Sequence, residues 1–353
     1  MRVVGLVFVS VLVSGCPLPP GDDAGRVDDA GGGGDAGGGD DAGLDDAGLD
    51  DAGLDDAGNR GDAGSVDDAG HVNDAGDLGD AGSAVDAGPL PNPVRLRVVA
   101  ANLTSGNFQS YDPGHGQRIL QGLGPDLVLI QEFSYGDDTP AELRAFVDET
   151  FGASFDYHRE SAQLPNGVIS RFPIVEAGVW DDAETTNREL VWARVDVPGP
   201  KDLWAVSLHL LTANAGTRAT EAEQLVGYVQ ANVPAADLLV IGGDLNTDSA
   251  GEAALSALAA VVSFAHTPQD QDGNPNTNAG RTKPYDWVLP DDDLGAFAVP
   301  VVIGSNTFPD GLVFDSRVYT PLVDVAPVQI GDSDATAMQH MAVVKDFLLP
   351  ASP

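Results

Sequence analysis

Residues 94–353 predict a large α/β domain in which strands and helices interleave around a mixed sheet, or a pair of sheets, with helices outside. The length of this segment suits one domain of that class. Apolar runs of strand length recur along it. Helical patterns fall between these runs without the strict alternation of a βαβ series, which favours a mixed arrangement.

Short apolar runs supply the predicted strands. Several are rich in Val and Ile and are bounded by Gly, Pro or Asp, as is typical of strands in a sheet. The predicted strands cover residues 96–101, 127–130, 191–197, 203–210, 238–241, 285–289, 299–303 and 341–349.

Apolar residues at helical spacing predict helices between these strands. The segment 140–151 places Leu143 and Phe146 on one face, and the segment 217–232 has the same pattern. The segment 251–262 is rich in Ala and Leu and predicts a third helix.

Residues 1–16 predict an export signal, because a basic head precedes an apolar run too short to span a bilayer as a helix. The run ends at Ser14-Gly15-Cys16, which resembles the lipobox of bacterial lipoproteins and implies that Cys16 carries a lipid. Pro17, in place of Asp, implies by the same resemblance an outer-membrane lipoprotein of the bacterial cell envelope, exposed at the surface. An ordinary secretory signal is the alternative. Cys16 is the only cysteine, so no disulfide is expected.

Residues 17–93 differ in composition from the rest of the chain. The triplet Asp-Ala-Gly recurs, aromatic residues are absent and apolar side chains are sparse. Such a segment buries too little surface to offset its chain entropy, so it predicts a disordered linker that repulsion between Asp residues extends. Calcium binding is the alternative, but the regular ligand positions of a calcium loop are missing.

The charge of the chain limits its partners. The net charge is −38, to which residues 17–93 contribute −18, residues 94–353 contribute −21 and Arg2 contributes +1. The predicted folded domain is therefore acidic by itself and repels polyanions. This argues against a high-affinity DNA-binding module. It does not argue against an enzyme that meets phosphate through a divalent cation.

Polar side chains stand at the ends of six predicted strands. A buried apolar strand has no structural use for a charged residue at its tip, so six such tips predict one shared site. Each residue alone also fits a structural role, such as a turn-forming Asn or a hydrogen-bonded core His. The six positions are Asn102, Glu132, His209, Asp244 with Asn246, Asp286 and His340.

These segments, taken in order, resemble the endonuclease/exonuclease/phosphatase superfamily, whose fold is that of DNase I. The matching segments are Gln131-Glu132, Asn166-Gly167-Val168 leading to Ser170–Ile174, Ser207–Leu210, Gly243-Asp244-Leu245-Asn246 and Tyr285–Leu289. The resemblance covers about residues 94 to 350. It implies a four-layer α/β sandwich of two mixed β-sheets packed face to face with outer helices, and an active site at one end.

The side chains at the strand ends predict a hard divalent cation. Carboxylate and amide oxygens without a thiol suit Mg²⁺ or Mn²⁺. The resemblance implies that Glu132 is the main metal ligand and that Asn102 supports it.

The resemblance also implies roles for the other residues at the strand ends. His340 acts as general base on the attacking water, and Asp286 orients its imidazole. Asp244 activates the nucleophile or protonates the leaving oxygen. Asn246 hydrogen-bonds a phosphate oxygen, and His209 contacts the phosphate or serves as general acid.

Three further residues are predicted to contact the substrate. Asn166 opens the segment that matches the family's Asn-Gly strand. Arg281 and Lys283 are among few cations of an acidic domain and stand just before Asp286. The preceding loop 270–276 resembles part of a calcium loop, but it lacks the closing Glu, and a polar surface loop is the preferred interpretation.

The sequence departs from the family pattern at Gln339. Most members have an Asp immediately before the final His, whereas this chain has Gln339 before His340. Asp332 and Asp334 lie shortly upstream and are candidates to replace the missing carboxylate. The number of metal ions, one or two, therefore stays open.

The sequence predicts a surface-anchored, divalent-metal-dependent phosphodiester hydrolase, specifically an endonuclease. The alternatives are a lipid phosphodiesterase of the sphingomyelinase type, a phosphatase, or a catalytically inactive binding domain on a stalk. The expected partners are a phosphodiester substrate, with nucleic acid preferred over lipid, and a membrane reached through the lipid anchor. The protein is expected to be a monomer.

Overall fold

The structure is a computed structural model that describes residues 92–106, 108–212 and 214–351. The predicted signal peptide with Cys16 lies outside these residues, as does the predicted linker 17–93 except for its last two positions. Among the helices of the described residues, none is both long enough and apolar enough to cross a membrane.

The described residues form strands and helices in alternation. The strands are β1 (Val94–Ala101), β2 (Leu127–Ile130), β3 (Asp156–Arg159), β4 (Gly167–Ser170), β5 (Ile174–Trp180), β6 (Leu190–Val195), β7 (Leu203–His209), β8 (Leu238–Asp244), β9 (Asp286–Pro290), β10 (Ala298–Val299), β11 (Val301–Ile303), β12 (Asn306–Phe308), β13 (Leu312–Phe314) and β14 (Ala342–Leu349). The helices are α1 (His115–Leu123), α2 (Pro140–Phe151), α3 (Ala215–Asn232), α4 (Ala253–Leu258) and α5 (Asp292–Gly295).

Two mixed sheets form the centre of the fold. The larger has the strand order β10-β14-β1-β2-β4-β3, with β13 also paired to β14. The smaller contains β5 to β9 in sequence order, and β11 pairs with β12 separately. Within the two large sheets, β1 runs parallel to β2 and β7 runs parallel to β8, whereas the other neighbours are antiparallel.

Alternation along the strands separates the core into three apolar layers. In β1, Leu96 and Val98 join the cluster between the two sheets, whereas Val99 joins the cluster beneath α1 and α2. A third cluster packs the outer face of β7 and β8 against α3 and α4. Helices, sheet, sheet and helices therefore follow one another, and the predicted four-layer sandwich is confirmed.

The structure differs from the sequence prediction in several elements, and it also contains β3, β5, β12, β13 and α5, which were not predicted. The predicted strand 299–303 is two strands, since Pro300 has no N–H for a ladder and separates β10 from β11. The predicted helix 251–262 is shorter, as Ala253–Leu258. Helix α1 was not predicted, because Gly residues open it, interrupt it and follow it, which weakens its helical signal.

Close contacts between the sheets fix the end of β8. A Cβ on Gly243, which has φ 132°, would lie 2.2 Å from the carbonyl oxygen of Leu208 and 2.4 Å from Nε2 of Gln131. Gln131 Nε2 donates to Ser207 Oγ at 2.9 Å and so joins β2 to β7 beneath the same point. Only Gly fits there, and it sets the position of the adjacent Asp244.

Candidate active site

The strand order brings the predicted site residues to one edge of the sandwich. Parallel strands end at the same edge, so Asn102 and Glu132 follow β1 and β2 together. His209 and Asp244 are register partners at the ends of β7 and β8. Antiparallel β9 begins at the same edge, since its first residue, Asp286, pairs with Asp244.

Asn102 contacts several residues of the cluster and connects them. Its Nδ2 lies 3.3 Å from Glu132 Oε1, 3.1 Å from Asp244 Oδ2 and 3.4 Å from His340 Nε2. Its Oδ1 is buried and has no hydrogen-bond partner. Because a buried amide oxygen is costly to leave without a partner, this atom marks a position for a ligand.

Glu132 is held in place by donors on one segment. Thr104 Oγ1 donates to Glu132 Oε2 at 2.7 Å, and Gln109 Nε2 donates to Oε1 at 2.9 Å. The backbone of Glu132 has φ 50°, a left-handed conformation that an L-residue adopts at a cost. Asn246 shares this feature with φ 49°. Strained backbone at two neighbouring polar positions is typical of functional sites.

His340 and Asp286 form a buried pair. His340 Nδ1 lies 3.0 Å from Asp286 Oδ2, and both side chains are buried. Burial lowers the pKa of His340, but neighbouring carboxylates, Asp286 first and Asp244 second, raise it to about 10. Burial raises the pKa of Asp286 to about 6, against the opposing effect of His340. The imidazole therefore carries a proton at neutral pH in the ligand-free cluster.

Asp244 lies between the two histidines. Its Oδ2 is 3.2 Å from His209 Nε2 and 3.4 Å from His340 Nε2, and its Oδ1 accepts from the backbone N–H of Asn246 at 2.9 Å. Burial alone raises the pKa of Asp244, but the two imidazoles hold it well below its usual range. Asp244 is therefore ionised. Asn246 Nδ2 donates to the carbonyl of Leu210, which fixes its amide.

The donor set fits a hard divalent cation. Ligand atoms of Asp244, Asp286 and His340 lie within 4.8 Å of one another. Asp286 and His340 already bond to each other, so the free oxygen of Asn102, beside Glu132 and Asp244, is the better-supported position. The first set offers oxygens with one imidazole and the second offers oxygens alone, and both suit Mg²⁺ or Mn²⁺.

The three predicted substrate contacts bond other residues. Asn166 is buried directly before β4, where its Nδ2 donates to the carbonyl of Glu189 and its Oδ1 has no partner. Arg281 bonds both Asp270 and Asp315, at 2.6 and 2.5 Å. Lys283 pairs with Asp248 at the surface. Within the described residues, no hydrogen bond or ion pair joins these three to His340 or Glu132, so their substrate role stays a prediction.

The two other acidic segments have structural partners. Asp270 Oδ1 accepts the backbone N–H groups of Asp272 and Asn274, and its Oδ2 pairs with Arg281, so the loop 270–276 closes on itself. Asp332 pairs with Arg118 in a largely buried bond, and Asp334 pairs with Arg317 near the surface. Gln339 is exposed, and its carbonyl accepts from Ala279.

Sequence reasoning missed Arg188, a buried guanidinium beside the cluster. Its Nε donates to Asn187 Oδ1 at 3.1 Å, and its Nη1 is buried without a partner. Burial lowers the pKa of Arg188 although carboxylates, Asp244 foremost, favour its charge. The only sequence signal was an Arg just before a buried strand, β6. A buried cation with a free N–H group next to carboxylates is suited to bind an anion such as phosphate.

The fold agrees with comparisons to known proteins. The model of the endonuclease/exonuclease/phosphatase family matches residues 88–311, whereas no curated protein matches the chain. An endonuclease/exonuclease/phosphatase from Beutenbergia cavernae DSM 12333 has a TM-score of 0.50 at 18% identity, over 72% of this chain and 72% of that chain. A functionally unknown conserved protein from Enterococcus faecalis V583 has a TM-score of 0.50 at 9% identity, over 71% and 98%. Both likenesses concern the fold.

Proposed function

Because the chain belongs to the endonuclease/exonuclease/phosphatase family, we propose that it is a divalent-metal-dependent phosphodiester hydrolase, specifically an endonuclease, anchored to the bacterial envelope through Cys16. The observation that carries the proposal is the position of Asn102. Its Nδ2 binds the carboxylates of Glu132 and Asp244 at the edge where the His340–Asp286 pair stands, and its Oδ1 is left free. The envelope location rests on the sequence of residues 1–16.

Glu132 and Asn102 are the residues that would hold the cation. When bound there, Mg²⁺ or Mn²⁺ would neutralise the scissile phosphate and stabilise the charge that develops on it. Thr104 and Gln109 fix both carboxylate oxygens of Glu132, so that they keep their orientation before a ligand arrives.

Proton transfer is assigned to His340, Asp286 and Asp244. Asp286 accepts from His340 Nδ1 and thereby directs Nε2 toward Asp244 and the substrate side. Neutralising carboxylate charge at Glu132 and Asp244 lowers the pKa of His340 toward the range in which Nε2 accepts a proton from water. His209, which bonds Asp244, is placed to donate a proton to the leaving oxygen.

Arg188 and Asn246 complete the substrate side. The free Nη1 of Arg188 is available to a phosphate oxygen. The amide of Asn246 is fixed by the carbonyl of Leu210, which prevents it from turning away. Charge-assisted donors of this kind position the phosphate for attack.

The test is a hydrolysis assay with the full chain and matched histidine variants. Circular DNA, RNA, sphingomyelin vesicles and a generic phosphodiester are each offered with Mg²⁺, Mn²⁺ or chelator. His340→Gln is expected to lose about 10²- to 10⁴-fold in rate. His266→Gln, at an exposed His paired with Asp310, is the control and is expected to keep the wild-type rate.

The outcomes separate the candidate functions. Metal-dependent nicking of circular DNA supports an endonuclease. Cleavage of sphingomyelin alone would replace that substrate by a lipid. The absence of hydrolysis with every substrate and metal would indicate a binding domain and refute the proposal.

A further inference from the structure

One exposed aromatic residue directly precedes, in the chain, a residue that bonds Glu132. Phe108 is 99% exposed, more than any other large apolar residue among those the structure describes. The next residue, Gln109, donates to Glu132 Oε1 at 2.9 Å. The Phe108 ring is therefore presented one residue away from a group that contacts the reaction centre.

The segment that carries Phe108 is tightly closed. The backbone N–H groups of Ser105 and Gly106 both donate to the carbonyl of Ser110, at 3.1 and 3.0 Å. A Cβ on Gly106 would lie 2.3 Å from Ser110 Oγ, so the turn requires Gly. Phe108 and Gln109 have φ 64° and 56°, strained values for L-residues. The strained backbone keeps an apolar ring in solvent, which indicates that the ring binds a ligand.

A second aromatic ring lies beside His340. The ring of Tyr285 is half-buried, 5.7 Å from the imidazole of His340. Lys283 Nζ lies 5.9 Å from the Tyr285 ring. Asn102 Nδ2 lies 3.3 Å from Glu132, which Gln109 contacts, and 3.4 Å from His340, which the Tyr285 ring adjoins. Both aromatic residues are therefore connected to the cluster, Phe108 through its neighbour Gln109 and Tyr285 through His340.

We propose that Phe108 and Tyr285 are stacking surfaces for the bases on either side of the cleaved phosphate, and that the substrate is single-stranded nucleic acid. This inference rests on the proposed phosphodiesterase function and specifies its substrate. Every nucleobase has a flat face, so two rings beside the phosphate-binding centre bind a polynucleotide without reading its sequence.

The accessibility of the base faces distinguishes this substrate from a duplex. Both substrates are polyanions, and residues 94–353 carry a net charge of −21, so contacts to the bases must add to any contacts to phosphate. In a duplex the flat faces of the bases are covered by each other, whereas in a single strand they are free to stack on Phe108 and Tyr285. A lipid surface would require both rings to enter the bilayer, but Tyr285 is half-buried against His340.

The test compares two oligonucleotides that differ only in their bases. One is a single-stranded oligothymidylate, and the other has abasic tetrahydrofuran residues on both sides of one phosphate. The full chain is assayed with Mg²⁺ or Mn²⁺ on both. The wild type is expected to prefer the base-bearing strand by roughly 5- to 150-fold per stacked base in kcat/KM, mainly through KM.

Variants assign the preference to each ring. Phe108→Leu keeps an apolar side chain without a flat face, and Tyr285→Leu does the same on the other side. Both are expected to reduce the preference, and Tyr285→Phe is expected to restore it. Val175→Ala, at an exposed position of β5, is the control and is expected to keep the full preference.

The outcomes keep this inference separate from the proposed function. If the wild type cleaves neither strand nor any other phosphodiester, the proposed function itself is wrong. Equal cleavage of both strands, or Leu variants that keep the wild-type preference, would overturn the stacking proposal while the hydrolase function stands. Faster cleavage of a duplex, or loss of sphingomyelin hydrolysis in Phe108→Leu, would also overturn it.

Discussion

Two buried charge clusters of this fold contrast in how their groups are paired. In the arginine cluster (Asp270, Arg281, Asp315 and Arg317), Arg281 bridges Asp270 and Asp315, and Arg317 bonds Asp315 at 2.7 Å. In the cluster at the strand ends, carboxylates outnumber cations. Four of its buried polar atoms have no partner, namely Asn102 Oδ1, His209 Nδ1, Asp286 Oδ1 and Arg188 Nη1.

The contrast shows how a structural ion network differs from a binding site. Buried polar groups are normally paired, because an unpaired one costs about 1–3 kcal/mol. In the arginine cluster the charged groups are paired with one another within the chain, and the cluster therefore stabilises its loops. In the cluster at the strand ends, a ligand has to supply the partners of the unpaired groups. The following changes test the difference.

The largest effect is expected for Glu132→Gln. The variant removes one ligand charge but keeps the size of the side chain, so turnover is expected to fall about 10³-fold or more while the chain stays folded. Turnover is measured at saturating Mg²⁺, and folding by thermal unfolding. Asp272→Asn, in the loop 270–276, is the control and is expected to leave turnover unchanged. A Glu132→Gln enzyme with near-wild-type turnover would remove Glu132 from the metal site.

Arg281→Ala tests the arginine cluster. It leaves Asp270 and Asp315 buried without their shared cation, which is expected to lower the free energy of unfolding by about 3–5 kcal/mol. Denaturant titration measures the loss. The helix-surface pair of Arg144 and Asp148 supplies the control, since Arg144→Ala is expected to cost at most about 0.5 kcal/mol. Wild-type stability with a raised KM would instead make Arg281 a substrate contact.

Stability should fall with rising pH because of Glu221 on α3. Burial raises the pKa of Glu221 to about 8 from the 4.5 of an unfolded chain, and Asp182 adds to the shift. The folded state keeps this proton while the unfolded state loses it, so the stabilisation is complete below pH 4.5 and is lost as pH rises to about 8. Glu221→Gln is expected to flatten the stability profile in this window. Asp286, with a pKa of about 6, changes the stability in the same direction in the wild type and in the Glu221→Gln variant. A profile unchanged by the substitution would show that Glu221 is ionised in the folded state.

The smallest effect is expected for Gln339→Asp. One added carboxylate before His340 supplies charge near the cation, so activity at low Mg²⁺ is expected to rise by about a factor of two to five. A metal titration of activity measures it. An unchanged titration for Gln339→Asp, together with a large loss in Asp334→Asn, would show that an upstream carboxylate already fills this role.

The positions of the site residues were predictable because strand ends are visible in sequence. Asn102, Glu132 and Asp244 end or follow apolar runs, and parallel pairing brings such ends together. His340 precedes an apolar run, and the antiparallel pairing of β14 with β1 brings it to the same edge. The sequence indicated Gly243 only as part of a motif. That no larger residue fits beside Gln131 depends on contacts between the two sheets, which the sequence does not show.

Other features depend on distant parts of the chain and leave no local pattern. Arg281 stands near the site in sequence, but its partner Asp315 is 34 positions away, so its pairing could not be read from spacing. Arg188 becomes a phosphate candidate only because folding buries it next to Asp244. The local sequence pattern therefore located the strand ends. The tertiary contacts determined which charged side chains remain available to bind a ligand.

Mn²⁺ binding measured by calorimetry on the full chain tests the central claim most directly, because it compares the two clusters without any substrate. The wild type, Glu132→Gln and Asp270→Asn are titrated under the same conditions. The account predicts that Glu132→Gln loses the tightest Mn²⁺ site and that Asp270→Asn retains it. Unchanged binding in Glu132→Gln, or loss of the site in Asp270→Asn, would contradict a metal centre at the strand ends.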